Sequence, residues 1–276
     1  MYKSSKISKL SVWFVLILLG ILTYIPIVIM LSMSFRNNGQ IYSDFWGLPS
    51  PWIWKNYKEA FEGIGRSIFN SVFVSGIATI GVVFLSSLSG YVFARLQFPG
   101  RNFFYLLILS LMMIPGVLTL MPLYAQISGY GLLNTWWALL LPWIAGGQVF
   151  GIILCRTFLE ALPNELFECS RIDGATEFTN YWRIAVPLTM PILITLAVMN
   201  MIGNYNDFIW PLLTISGEKL QMVTVQLQKI GVDSSNNVQY GQRMAAYIIS
   251  CLPLLVLFSF GMKYYVSGVT SGAVKG

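Results

Sequence analysis

Six stretches of this chain are mostly apolar over about 20 residues or more, the length that a helix needs to cross a bilayer. Only a helix pairs all of its backbone amide and carbonyl groups within one such stretch. The chain is 56% hydrophobic and 10% charged, which leaves too little polar surface to cover a water-soluble globule of 276 residues. We therefore predict an all-α membrane protein in which one transmembrane domain covers residues 1–276. Its six spans are predicted at residues 10–35, 67–96, 103–124, 136–158, 188–210 and 244–266.

The distribution of Lys and Arg predicts how these spans are oriented, because both residues resist transfer across the membrane. With the N-terminus in the cytoplasm, ten of the 17 lie in cytoplasmic segments and seven in external ones. Both termini are then cytoplasmic, residues 162–187 face the cytoplasm, and residues 36–66 and 211–243 face outward. The net charge of +6 indicates orientation among anionic membrane lipids rather than binding of nucleic acid.

The chain lacks the residues that several kinds of catalysis and energy coupling require. The chain has no histidine, which excludes Ser-His and Cys-His nucleophile pairs and His-Glu-x-x-His metal sites. It has no Gly-x-x-x-x-Gly-Lys-[Ser/Thr] phosphate loop, so it cannot bind ATP by that route. The spans offer no cluster of acids or metal ligands for an enzyme, and only Asp207 could serve ion coupling. Movement driven by a partner is favoured over a stand-alone ion-coupled carrier, which stays the alternative.

Residues 162–187, between the fourth and fifth spans, are predicted to form two short helices. Pro163 suits a first helical turn, and Gly174 suits the left-handed conformation that ends many helices. Thr176 can cap a second helix, and Pro187 is expected to end that helix. The segment is thus expected to be ordered.

An apolar edge on the first of these helices, formed by Leu166 and Phe167, lies outside the predicted spans and needs a cover. The membrane surface could cover it if the segment folds back, or another protein could. For Glu168, an ion pair and a merely solvated carboxylate both stay open.

Three runs of residues within the segment carry a resemblance to a known family. They are Glu168-Cys169-Ser170, Ile172-Asp173-Gly174-Ala175, and the run from Trp182 to Leu188. In order and spacing they resemble the Glu-Ala-Ala signature of ATP-binding-cassette importer permeases, in its carbohydrate-uptake version. Cys169 and Ser170 stand where the family usually has two alanines, and Tyr205 stands where it usually has tryptophan.

Further motifs extend this resemblance over nearly the whole chain. They occur in the order expected of the six-span, maltose-type permease subunit: Asn56-Tyr57, Asn70-Ser71, Tyr91 with Ala94-Arg95, Phe98 to Arg101, Met113-Ile114-Pro115, Pro122-Leu123, Asn206 to Leu212, and Gly268 to Gly276.

The resemblance implies a permease subunit, not an enzyme, that moves a sugar or oligosaccharide across the cytoplasmic (inner) membrane by alternating access. The partners that it implies are a second homologous permease subunit, ATPase subunits, an extracytoplasmic solute-binding protein and the surrounding membrane lipid. ATP and Mg would bind to the ATPase, and this chain would hold no cofactor or metal. An importer of the same architecture for a non-sugar solute is the alternative within the family.

By the same resemblance, the segment between spans four and five is implied to act as a coupling helix seated in a groove of the ATPase. The residues expected to take part are Leu166, Phe167, Glu168, Arg171, Asp173, Gly174 and Ala175. Leu166, Phe167 and Ala175 would supply apolar contact. Glu168 or Asp173 would meet basic groups of the ATPase or cap neighbouring backbone.

Span five is the most polar span and carries candidate solute-binding residues. Asn200, Gly203, Asn204 and Asp207 recur at three- and four-residue spacing, which puts them on one helix face. That face lines the solute path or bonds to a neighbouring span, and the sequence leaves both open. An uncharged, hydroxyl-rich solute would suit amides beside an aromatic wall. The candidate path residues are Asn200, Asn204, Tyr205, Asp207 and, on span four, Gln148.

Small residues and a proline predict local packing within the spans. Ser86, Ser87, Ser89 and Gly90 allow a neighbouring helix to approach span two closely. Pro115 is expected to kink span three.

Overall fold

The computed structural model of the chain describes residues 6–232 and 237–273, with side chains over 11–232 and 237–261. Lys3 and Lys275, which the orientation prediction counts, lie outside the described residues. Within these ranges the chain is helical and forms no β-strand, apart from one bridge between Val232 and Val238. The α-helices are α1 (Lys6–Ser34), α2 (Asn38–Ser43), α3 (Lys55–Arg95), α4 (Arg101–Leu111), α5 (Gly116–Gly129), α6 (Trp137–Glu160), α7 (Glu165–Ile172), α8 (Glu177–Asn180), α9 (Val186–Asn206), α10 (Ile209–Thr214), α11 (Val223–Lys229) and α12 (Tyr240–Ala273).

Five helical stretches in the described part of the chain are each long and apolar enough to cross a membrane. They are Ser11–Ser34, Lys55–Arg95, Trp137–Glu160, Glu177–Asn206 and Tyr240–Gly261. Helices α4 and α5 are long and apolar enough to cross a membrane only when they are taken together, and the pair is a sixth candidate span. The predicted all-helical membrane architecture is confirmed.

The sixth candidate differs from the continuous third span that the sequence predicts, because α4 and α5 meet at an angle of 97°. Pro115 stands at the break in an extended conformation, with φ −60° and ψ 125°. Proline has no backbone N–H, and it disfavours helical geometry in the residue before it. The predicted kink at Pro115 is confirmed, and the bend is sharp enough to divide the span into two helices.

The contacts between residues divide the chain into two compact units. One consists of Met1–Arg66 with Gln226–Leu252, and the other of Ser67–Val225 with Pro253–Gly276. Each unit is described by itself below.

The first unit is organised around a buried arginine that follows α1. The Arg36 side chain is almost fully buried and donates hydrogen bonds to four backbone carbonyl groups in residues 40–47. Asn56 adds bonds of 2.9 Å to the carbonyl oxygens of Ser34 and Arg36. The predicted outer segment of residues 36–66 is therefore an ordered structure folded around a guanidinium group.

In the second unit, α3 and α6 approach each other closely at small residues. A Cβ atom added to Gly90 would lie 2.6 Å from the Cβ of Cys155, and one added to Gly151 would collide with the Ser86 side chain. In both cases the added Cβ atom would overlap atoms of the neighbouring helix. The prediction that span two permits close helix approach is confirmed at Ser86 and Gly90.

Candidate functional site

The interspan segment, residues 162–187, connects α6 to α9 and contains the residues that the sequence singles out. Its first helix, α7, ends at Ile172 and is followed by Gly174, whose φ of +83° is left-handed. The Gly174 N–H donates to the Arg171 carbonyl and the Ala175 N–H donates to the Ser170 carbonyl, both at 3.0 Å. These two bonds form a Schellman motif, which satisfies carbonyl groups at the end of a helix. The predicted helix stop at Gly174 is confirmed.

The second helix of the segment, α8, starts at the predicted cap. The Thr176 hydroxyl oxygen accepts a hydrogen bond of 3.3 Å from the Thr179 N–H. Pro187, however, does not end the helical structure. A π-helical turn over Tyr181–Ala185 follows α8 and continues directly into α9, which contains Pro187 in its first turn. The wider turn and the position near a helix start accommodate a residue that has no N–H to donate.

Phe167 fixes α7 to the rest of its unit. Its side chain is only 1% exposed and packs in a cluster with Tyr91 of α3, Leu159 of α6, and Tyr181 and Ala185 of the π-helical turn. The expected contact of Phe167 with another protein is therefore corrected, because this side chain faces the chain's own spans. It makes α7 part of the body formed by α3 and α6.

Arg95, the last residue of α3, makes a second connection. Its guanidinium donates to the carbonyl oxygens of Leu159 and Leu162, the latter at 2.8 Å, and to the side-chain oxygen of Asn164. The same group lies 4.2 Å from the centre of the Phe167 ring. Arg95 thus satisfies carbonyl groups at the end of α6 and contacts the start of α7. Sequence reasoning quoted Arg95 only within a family motif and missed this role.

The polar residues of the segment divide into paired and exposed side chains. Arg171 donates from its Nε to Glu177 Oε1 at 2.7 Å, and this hydrogen bond raises the pKa of the Arg171 guanidinium above its ordinary value. Glu168 and Asp173 are exposed, and Ala175 is half-buried.

Apolar side chains remain exposed on α7 and on α8, which begins the helical stretch Glu177–Asn206. Ile172 is 84% exposed, and Leu166 and Phe178 are also exposed. Leu166 is one of the expected contact residues, whereas Ile172 and Phe178 were not selected from the sequence as contacts. Their signal is an apolar side chain on a short helix, which the sequence shows only once the helix boundaries are known.

A polar cavity of about 410 Å³ opens beside α7. Its lining residues are Ala94, Arg95, Gln97, Arg101, Glu160, Asn164, Phe167, Glu168 and Arg171.

The candidate path residues on α9 are partly joined to each other and to α3. The Asn200 side-chain oxygen accepts hydrogen bonds from Asn204 Nδ2 at 2.9 Å and from the Thr79 hydroxyl of α3 at 3.2 Å. Asn200 therefore bonds to a neighbouring span, which is one of the two roles that the sequence leaves open. Tyr205 is almost fully buried.

Asp207 and Gln148 each have defined partners as well. Asp207 accepts from the Trp143 indole N–H at 2.9 Å and from the Trp210 backbone N–H at 3.3 Å, beside the start of α10. Gln148 Oε1 accepts from the Ser86 hydroxyl at 3.0 Å, while its Nε2 is buried and has no partner among the described residues. No three Cys, Asp or Glu side chains in the described ranges come close enough to hold a metal ion.

The sequence of this chain matches a known family and known proteins over most of its length. Residues 83–271 match the profile of a family described as "Binding-protein-dependent transport system inner membrane component". The chain is 34% identical to the probable ABC transporter permease protein YurM of Bacillus subtilis (strain 168), over 98% of this chain and 90% of that protein.

Two further relatives are named for the saccharides that they transport. The diacetylchitobiose uptake system permease protein NgcG of Streptomyces coelicolor is 29% identical, over 94% of this chain and 87% of that protein. The arabinooligosaccharides transport system permease protein AraQ of Halalkalibacterium halodurans is 30% identical, over 98% of this chain and 99% of that protein.

The fold also matches a solved structure. A chain from a bacterial ABC transporter involved in the import of the acidic polysaccharide alginate superposes with a TM-score of 0.83, covering 96% of this chain and 100% of that one. At 21% identity this likeness shows the fold alone.

Proposed function

The chain belongs to the family of binding-protein-dependent transport system inner membrane components, and we propose that it is the permease subunit of an ATP-driven importer of a sugar or oligosaccharide. It crosses the cytoplasmic membrane several times, with both termini in the cytoplasm. The names of the relatives that transport diacetylchitobiose and arabino-oligosaccharides support the choice of solute. A second homologous permease subunit completes the pathway, and an extracytoplasmic binding protein delivers the solute.

One observation carries this function: the interspan segment is fixed to the spans on one side and exposes apolar side chains on the other. Phe167 and Arg95 hold α7 against α3 and α6. On the exposed side, Leu166 and Ile172 of α7 and Phe178 of α8 need a cover, because apolar groups exposed on a cytoplasmic segment favour contact with another protein. An ATPase subunit is the partner that we propose for this surface.

Charge and turn geometry support the same partner. Glu168 and Asp173 are exposed carboxylates beside the apolar side chains and suit basic groups of an ATPase. Gly174 and Ala175 form the tight turn that fixes α8 against α7. The segment can therefore move as a rigid piece.

The mechanism follows from these connections. ATP and Mg bind to the ATPase subunits and close them, so that the coupling segments of the two permeases approach each other. Movement of α7 passes to α3 and α6 through Phe167 and Arg95, and to α9 through the π-helical turn. The cavity between the permeases then opens outward to accept the solute, and hydrolysis resets it.

The solute path is proposed to pass the polar face of α9. The amides of Asn200 and Asn204, together with Gln148 on α6, suit the hydroxyl groups of a saccharide. Tyr205 is buried and Asp207 accepts from Trp143, and we assign to both the role of holding this part of the path in shape.

Reconstitution tests the proposal. The chain is purified with the second permease, the ATPase and the binding protein encoded beside it, and placed in liposomes with ATP on the ATPase side. Labelled diacetylchitobiose, arabinotriose and raffinose are offered with the binding protein. We expect uptake of at least one of them that requires both ATP and the binding protein. Uptake driven by a proton or sodium gradient without the ATPase would contradict the proposal, as would ATP-driven uptake restricted to non-sugar solutes.

A further inference from the structure

Glu177, the first residue of α8, binds two different helices through its two carboxylate oxygens. Oε1 accepts from Arg171 Nε at 2.7 Å, and Oε2 accepts from the Tyr91 hydroxyl at 2.6 Å. Arg171 lies in the last turn of α7, and Tyr91 lies near the end of α3. One side chain thus links the coupling helix to the second span.

Both partners of this carboxylate are held in position by their surroundings. The Schellman turn at Gly174 and the Thr176 cap reverse the chain, so that Glu177 faces Arg171 six residues earlier. The Tyr91 ring is almost fully buried, and its centre lies 5.6 Å from that of Tyr181. The side chains of Glu177, Arg171 and Tyr91 are therefore already held in the positions in which they bond to each other.

Exposure argues that the bridge positions α7 more than it stabilises the fold. The Arg171 and Glu177 side chains are 38% and 41% exposed, and ion pairs of this kind add little to folding stability. Hydrogen bonds from hydroxyl groups to ionised carboxylates are shorter and stronger than neutral ones. The bond from Tyr91 therefore fixes where the far end of α7 lies relative to α3.

The chain itself connects the segment only to spans four and five, that is, to α6 and α9. We propose that Glu177 is a positioning residue that makes α7 and the end of α3 move as one body. A displacement imposed on α7 then reaches span two through the far end of α7, in addition to the contacts of Phe167 and Arg95. This inference rests on the proposed function, because it requires an ATPase that moves α7.

Three variants of the reconstituted complex test this role: E177A, Y91F and the double variant. Uptake per ATP hydrolysed is measured with the saccharide of the panel above that the unaltered complex takes up. We expect each single variant to lower this ratio by about fivefold or more, the size of a typical coupling effect between sites. Complex yield and basal ATP hydrolysis stay unchanged. The double variant is no worse than E177A, because both changes break the same link.

The matched control is E59Q. Lys55 and Glu59 form an ion pair of 3.1 Å, with Glu59 40% exposed, and both residues lie at the start of α3, whereas Tyr91 lies near its end. The loss of this pair leaves the contacts of α7 in place, so we expect an unchanged ratio. An E177A complex that couples as well as the E59Q complex would overturn the inference.

Hydrogen–deuterium exchange tests the bridge independently of transport. In the purified complex, E177A should increase exchange over residues 171–180, and E59Q should not. Unchanged exchange in E177A would overturn the bridge even if the complex imports a sugar. Increased exchange in a complex that takes up no saccharide would uphold the bridge and contradict the proposed function.

Discussion

Gly174 shows how a single backbone conformation shapes the coupling segment. Its φ is +83°, and a Cβ atom added there would meet nothing within 4 Å. Any cost of a side chain at this position therefore comes from the backbone and not from a clash. The sequence predicts the helix end here because glycine favours left-handed geometry, and it is the type of residue, not its neighbours, that carries the signal.

We expect G174V to impair transport much more than G174N. Left-handed geometry costs ordinary residues about 1–2 kcal/mol, while asparagine adopts it more readily because its side chain bonds locally. A strained turn moves α8 relative to α7 and uncouples ATP hydrolysis from uptake. The measurement is saccharide uptake per ATP hydrolysed in liposomes. Normal coupling in G174V would contradict the role of this turn.

Asp207 is a second residue whose surroundings define its role. Its carboxylate accepts from Trp143 and Trp210, so both oxygens already have donors. An ion-coupled carrier would need this carboxylate to bind and release a cation.

We expect D207N to keep uptake that depends on ATP and does not respond to ionophores. The amide oxygen can replace one of the two carboxylate acceptors, and the loss of the other bond to a charged group costs about 1.5–3 kcal/mol of folding stability. Thermal unfolding of the complex and uptake in the presence of an ionophore measure both effects. If an ionophore stops uptake by the unaltered complex but does not change uptake by the D207N complex, that result would favour ion coupling instead.

At the scale of elements, the pair formed by α3 and α6 depends on glycines at the contact. The sequence predicts that span two admits a close neighbour, since small residues cluster at positions 86–90. The sequence does not predict that α6 is that neighbour, because small residues set how closely a second helix can approach but not which helix it is. Gly151 of α6 completes the contact at Ser86, and Gly147 lies against Val82. These two glycines form a Gly-x-x-x-Gly pattern in span four, which marks a close-packing face but does not identify the helix that packs there.

Two alanine substitutions in α3 separate packing from helix propensity. A Cβ atom at Gly90 would lie 2.6 Å from Cys155 Cβ, whereas one at Gly76 would meet nothing within 4 Å. We expect G90A to lower the stability of the folded chain by about 1–3 kcal/mol, as overpacking does. G76A should cause no loss. The melting temperature of each variant in detergent is the measurement, and equal stability of the two would contradict the close contact.

The short elements show where sequence reasoning succeeds and where it stops. Gly174 and Thr176 mark the boundaries of α7 and α8, because caps are local and depend on residue type. The π-helical turn before Pro187 depends on how the chain accommodates a missing N–H inside a packed unit. Likewise, Pro115 predicts a kink, but the 97° angle depends on the packing of α4 and α5.

At the scale of the whole molecule, the composition and the six long apolar stretches suffice to predict the fold class. The single transmembrane domain over residues 1–276 stays a prediction. Arg36 marks the limit of such reasoning in the first unit, because a guanidinium whose two terminal nitrogens bond to backbone carbonyl groups leaves no complementary charge in the sequence. In the second unit, Phe167 resembles Leu166 in the sequence, and only tertiary packing buries one and exposes the other.

The central claim is that the exposed side of the interspan segment contacts an ATPase in the cytoplasm. I172C tests it most directly, since Ile172 is 84% exposed. Cys169 and Cys251 are exposed and are replaced by serine, while the buried Cys155 remains as an internal control that should not react.

In that background, I172C is labelled with benzophenone maleimide before the ATPase is added, and the complex is then assembled and irradiated. We predict a covalent product with the ATPase subunit, and no labelling of I172C by a membrane-impermeant maleimide added to intact cells. Labelling from outside the cell, or irradiation that yields no product with the ATPase, would contradict the account.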